Sequence, residues 1–163
     1  MTEPDTRQVA FDTPTGFLAF GFGSGLAPVA PGTAGTIASL PFAVLIVQLP
    51  LAIGIAIVAA AFLVGIHLCG ETGRRLGVHD HGGIVWDEFV GMWLVVLFIP
   101  FDWAWWLAAF ALFRVFDAVK PWPIRWFDRH VHGGLGVMLD DILAAFYTLA
   151  ILGAAMWWIA PVA

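Results

Sequence analysis

Charged and uncharged positions are segregated along this chain in long blocks. Apart from Asp102, no Asp, Glu, Lys or Arg occurs in 37–70, 89–113 or 142–160, and the other eighteen charged side chains fall in 1–33, 70–88 and 114–141. The pattern predicts five hydrophobic segments at 36–49, 51–69, 89–99, 103–116 and 142–160, the fourth running just past Arg114. Pro50 and the Pro100-Phe101-Asp102 corner separate neighbours that should pack as antiparallel hairpins. A membrane-spanning helix needs about 20 residues, which only the second and fifth segments reach on apolar residues alone. The first, third and fourth must use polar ends or the shelter of neighbours. An isolated charge is costly in hydrocarbon, so charges collect at its edge. Three polar blocks separated by even numbers of crossings lie on one side, together with every Lys and Arg, which is the cytoplasmic side by the positive-inside rule. The fold expected is all-α: a compact multi-helix integral membrane bundle of about five hydrophobic helices plus a short interfacial amphipathic helix.

At 163 residues the chain is one domain, with 1–16 a flexible cytoplasmic N-terminus. Its composition, 61% hydrophobic and 12% charged, lies far from the soluble average of about 25% charged. Trp103, Trp105, Trp106, Trp157 and Trp158 are placed for one aromatic belt, and Trp86, Trp122 and Trp126 for the other. A net charge of −5 without a basic run excludes nucleic acid as a partner. The opening residues are polar and acidic and do not form a signal peptide. The single Cys69 excludes an internal disulfide.

Four constellations carry possible chemistry. The glycine-rich stretch 21–36 precedes a helix whose start suits an anion, with Thr33, Gly35 and Thr36 as candidate phosphate contacts and Thr33 or Thr36 as a cap. It lacks the Gly-Lys-Ser/Thr of a Walker loop, and a tight turn with a small-residue helix contact is the plainer alternative. Asp87 and Glu88 open an apolar helix; the macrodipole accounts for one carboxylate there more easily than for two at a membrane boundary. Arg114, Asp117 and Lys120 recur at helical spacing at the end of the fourth segment. Beyond Pro121, Arg125, Asp128, Arg129 and His132 share one arc, with Ile124, Trp122, Trp126, Phe127 and Val131 on the other, a pattern suited to anionic headgroups. Asp140 and Asp141 follow glycines at the start of the last segment. Five carboxylates at the membrane edge, Asp87, Glu88, Asp117, Asp140 and Asp141, do not all stay ionised at close range without cations, and Mg²⁺ fits such an oxygen-rich set. Cys69 and Arg75 have the spacing of a cysteine phosphatase, but Cys69 ends a long apolar helix instead of sitting in a phosphate loop. His79 and His81 are at most supporting residues around a metal site.

The blocks GFGSGLAPVAPGTAGT, HDHGGIVWDEFVGMW, FRVFDAVKPWPIRWFDRHVHGG and GVMLDD, in this order over residues 21–141, resemble the phosphatidylglycerophosphatase A family of bacterial lipid phosphatases. The resemblance implies Mg²⁺-dependent hydrolysis of phosphatidylglycerophosphate in the bilayer of the inner membrane, with a multi-pass chain and an active site on the cytoplasmic side. It also implies metal and catalytic roles for Asp87, Glu88, Asp117, Asp140 and Asp141, and a phosphate contact for Lys120, with Arg125 or Arg129 assisting. Attack by water and an aspartyl-phosphate intermediate both fit this set. A cation transporter would carry its carboxylates nearer mid-membrane. A phospholipid headgroup transferase would carry an Asp-Gly-x2-Ala-Arg block that is missing here. The oligomeric state is left open.

Overall fold

A computed structural model of the chain describes residues 6–159. Among them are eight α-helices, one 3-10 turn and no strand. The helices are α1 (Thr6–Asp12), α2 (Pro14–Ala19), α3 (Pro31–Ile46), α4 (Leu51–Leu76), α5 (Trp86–Val96), α6 (Trp103–Val119), α7 (Ile124–His130) and α8 (Gly134–Ile159). Each of the five hydrophobic segments becomes a helix, and four of the five extend into the flanking charged residues. The stretch 1–16, expected to be a flexible terminus, divides differently: 1–5 lie outside the described residues, while 6–16 contribute α1 and the start of α2. Thr13 caps α2 by accepting a hydrogen bond from Gly16 N, with Pro14 in the first turn.

Local chemistry sets the helix ends. Asp102, the one charge stranded between apolar blocks, is the N-cap of α6, its Oδ1 accepting from Ala104 N at 2.9 Å. At the other end, Lys120 adopts the left-handed conformation, with φ of 46°, and Pro121 follows it, so the helix stops there. Gly77 ends α4 in the same conformation.

The short α5 is the axis of the fold. Every residue in it except Leu94 is buried, and it packs against α3, α4, α6 and α8. Two indoles pin it: Trp93 Nε1 donates to Ser39 O in α3 and Trp86 Nε1 to Ala61 O in α4, each at 3.0 Å. Trp86 therefore belongs to the core, stacked on Phe89 and 8% exposed; its expected place in an interfacial belt is corrected. A large apolar ring is stabilised more by full burial than at an interface when its one polar atom finds an acceptor inside.

By length and composition, α4 and α8 are each able to cross a membrane, and α3 is a shorter apolar helix. The N-terminal ends of α3, α5 and α8 and the C-terminal ends of α4 and α6 meet at one end of the bundle, where α7 also lies against α8.

Candidate active site

The carboxylates of Asp87 and Glu88 lie in the first turn of α5, favoured there by the helix dipole. Asp141 approaches from the second turn of α8. One oxygen from each of the three residues lies within 4.8 Å of the others. All three residues are at least nine-tenths buried. Asp87 Oδ1, Glu88 Oε2 and Asp141 Oδ2 are shielded from solvent and accept no hydrogen bond. Three crowded buried carboxylates with unused lone pairs are costly unless a proton or a cation joins them. An all-oxygen donor set with free lone pairs fits a hard divalent cation such as Mg²⁺.

Arg114 in α6 borders this group. Its guanidinium pairs with Asp117 Oδ2 at 2.6 Å and reaches Glu88 Oε1 at 3.4 Å. The first turn of α3 closes the site from above. A Cβ on Gly32 would collide with both Glu88 Oε1 and the Arg114 guanidinium, so only glycine lets α3 approach this closely.

Lys120 forms the second half of the site. Its ammonium donates to Asp128 Oδ1 at 2.6 Å and to Asp140 Oδ2 at 2.7 Å. Burial alone would lower the pKa of Lys120, but these two bonds outweigh it and hold the group above its usual value. The Lys120 hydrogen bond in turn lowers Asp128. Asp140 Oδ1 is buried without a partner. Six carboxylates thus gather around two basic side chains, an excess of negative charge that favours a cation.

The candidates from sequence separate into three groups. Asp87, Glu88 and Asp141 converge, with Asp117 held beside them by Arg114. Asp140 and Lys120 bind each other instead. Arg125 and Arg129 are exposed on α7, Arg125 donating to Val119 O; with Lys120, Trp122, Trp126 and His130 they line a basic cleft of about 330 Å³. The glycine-rich stretch is corrected in part. Neither Thr33 nor Thr36 caps α3, whose N-cap is Ala30 with Pro31 in the first turn. The buried Thr36 hydroxyl donates back to Gly32 O at 2.8 Å. Gly35 gives room to the side chain of Val85. Thr33 is half-buried in the first turn.

Sequence reasoning missed Asp128 as the partner of Lys120, having placed it on the outward basic arc of α7, and missed the Arg114–Glu88 contact. The Arg114–Asp117 spacing was visible, but the reach to another helix had no local signal. The rings of His79 and His132 lie tilted against each other with centroids 5.0 Å apart, and His79 lines a cleft of about 290 Å³ beside Asp128 and Asp140.

A family profile described as Phosphatidylglycerophosphatase A matches residues 17–156. The chain is 49% identical over 146 residues to Phosphatidylglycerophosphatase A of Escherichia coli (strain K12), covering 89% of this chain and 85% of that protein. It is 47% identical over 161 residues to the protein of the same name from Haemophilus influenzae, covering 97% and 99%. A relative from Bacteroides thetaiotaomicron, provisionally named a phosphatidylinositol-3-phosphatase, is 40% identical over 148 residues, covering 86% and 92%. No solved structure matches the chain with significance. With a profile spanning most of its length and close relatives covering nearly all of it, this chain belongs to the phosphatidylglycerophosphatase A family.

Proposed function

We propose that this protein hydrolyses phosphatidylglycerophosphate to phosphatidylglycerol and phosphate in phospholipid biosynthesis, using Mg²⁺ held by Asp87, Glu88 and Asp141 with Asp117 beside them. Its family is one of phosphatases acting on a phosphate monoester, so the protein is an enzyme of that class. The single observation that carries the reading is the convergence of three buried carboxylates, each with a solvent-shielded oxygen lacking a partner.

Bound there, Mg²⁺ would neutralise phosphate charge and lower the pKa of a water molecule. Arg114 orients Glu88 and Asp117 by its two contacts. Lys120 has three donors and two are engaged by Asp128 and Asp140, leaving one for a phosphate oxygen. The first turn of α3, packed over Glu88, excludes bulk water from that side. Exposed Arg125 and Arg129 are available to anionic headgroups.

The protein is inferred to be a multi-pass protein of the bacterial cytoplasmic membrane, with α3, α4, α5, α6 and α8 embedded and the site on the cytoplasmic side. Large apolar side chains such as Leu45, Leu63, Leu107 and Phe146 are exposed, as a lipid-facing surface requires. Trp103, Trp157 and Trp158 are exposed at one end and Trp122 and Trp126 at the other. Clustering of the carboxylates at one end of the bundle favours interfacial chemistry over transport.

The test is phosphate release by purified protein in mixed micelles, from phosphatidylglycerophosphate and from phosphatidylinositol 3-phosphate, in EDTA and after return of Mg²⁺. The expected result is release from the first lipid that stops in EDTA and recovers with Mg²⁺. Preference for the phosphoinositide would move the substrate, and release that is unaffected by EDTA would remove the metal.

A further inference from the structure

We propose that the apolar cleft between α3 and α6 seats an acyl chain of the lipid whose phosphate is removed, making the cleft and the carboxylate site two ends of one substrate path. The proposal rests on the lipid phosphatase reading and adds where the hydrocarbon part of the substrate lies.

The cleft has a volume of about 620 Å³ and is walled by Ile37 and Leu40 of α3 and by Trp106, Leu107 and Phe110 of α6. That volume is within the usual range of ligand clefts, about 300–1,000 Å³. The corner Phe101, Asp102 and Trp103 lies at its far end. Its near end leads to the active site. Gly32 of α3 lies against the Arg114 guanidinium of α6, and Arg114 reaches Glu88 at 3.4 Å. α3 runs away from this contact and α6 runs towards it. Ile37 therefore comes little more than one turn after Gly32, and Phe110 about one turn before Arg114. On α6, Trp103, Trp106, Leu107, Phe110 and Arg114 recur at spacings of three and four, which makes them one stripe. A single helix face thus carries both the groove wall and a residue touching the carboxylate site.

The walls are left open in the protein. Ile37 is 55%, Leu107 59% and Trp103 77% exposed, a surface that suits hydrocarbon and not water. A second apolar cleft over α4, α5 and α8 is smaller, at about 350 Å³. Hydrocarbon held beside the reacting centre turns remote binding into positioning of the phosphate, so its loss should fall on long-chain substrate alone.

The experiment compares dipalmitoyl and dibutyryl phosphatidylglycerophosphate as substrates of wild type, Ile37→Trp and Leu107→Trp. Filling the groove should cut kcat/KM on the long-chain lipid by roughly tenfold or more, the scale on which an apolar pocket discriminates. Hydrolysis of the short-chain, water-soluble substrate should stay near the wild-type value, which also reports that the variants fold. Equal effects on both substrates would overturn the proposal. Independently, a non-hydrolysable dipalmitoyl analogue with a mid-chain diazirine should label residues 37–40 and 106–110 of wild type. Label spread evenly round the bundle, label in the α4–α8 cleft, or a cross-link between two copies through this face would each overturn it. Wild-type inactivity on both lipids would sink the phosphatase reading, and labelling would still judge the groove.

Discussion

Neighbouring residues on a helix point about 100° apart, so Asp87 and Glu88 do not by themselves share a ligand. Here an oxygen of each nonetheless comes within 4.8 Å of one from Asp141 of α8, and Arg114 reaches Glu88 from α6. Gly32 is the residue that permits this closeness, and it yields a sharp prediction. Gly32→Ala pushes a methyl group into the Glu88 carboxylate and the Arg114 guanidinium; relief of such overpacking costs about 1–3 kcal/mol. Thermal unfolding in detergent should show that loss, and phosphate release should fall by roughly tenfold or more with it. Gly82→Ala, where an added Cβ meets nothing within 4 Å, is the control and should match wild type. Sequence alone makes the paired acids legible because the helix dipole accounts for one carboxylate at a helix start more easily than for two. It does not reveal that Asp140 turns to Lys120 while Asp141 turns to the cluster, since that choice is made by helix packing. Thr36 was misread for a related reason: a hydroxyl near a helix start reads as a cap, but α3 begins five residues earlier at Pro31 and the hydroxyl serves the backbone within it.

Among the elements, α4, α6 and α8 follow from long apolar runs bounded by proline, glycine or charge, whereas α3 is mixed with glycine and hydroxyl residues and continues through Pro41. The pattern finds α5 as well, although it gives no sign that this helix is the buried axis of the fold, because nearly every position in it is apolar. Short α7 shows the opposite difficulty. Its amphipathic arc is real at Arg125 and Arg129, but Ile124 is fully buried and Asp128 turns inward to Lys120. The helix is thus docked by one side and exposes a basic edge on the other. Arg125→Gln and Arg129→Gln should raise the apparent KM in anionic mixed micelles and reduce its salt sensitivity, since each juxtamembrane basic residue adds about 1 kcal/mol of attraction to anionic lipid. On the proposed mechanism Lys120→Gln should lower kcat instead, because a donor to the phosphate being removed acts on the charge that develops in the transition state. Equal KM effects from all three variants, with kcat unchanged, would reassign Lys120 to headgroup docking.

At the scale of the whole molecule, charge is segregated in space as it is along the chain. One end of the bundle collects the acids, the arginine and the lysine of the site, while the other end is capped by Trp103, Trp157 and Trp158. With the site facing the cytoplasm and five crossings, a reporter inserted at Gly82 should read cytoplasmic. One fused after Ala163, beyond the described residues, should read periplasmic; a cytoplasmic signal there would remove the five-crossing arrangement. The central claim is that Asp87, Glu88 and Asp141 form a divalent-cation site on which hydrolysis depends. Its most direct test is Mn²⁺ binding followed by electron paramagnetic resonance in purified wild type, Asp87→Asn and Asp141→Asn, with phosphate release measured on the same samples. Wild type should bind Mn²⁺ in competition with Mg²⁺, and each variant should lose binding and activity together, by roughly a hundredfold or more in turnover, as expected when a ligand charge is removed from a catalytic metal. Variants that release phosphate at the wild-type rate, or a wild type that is active without binding either ion, would contradict the account.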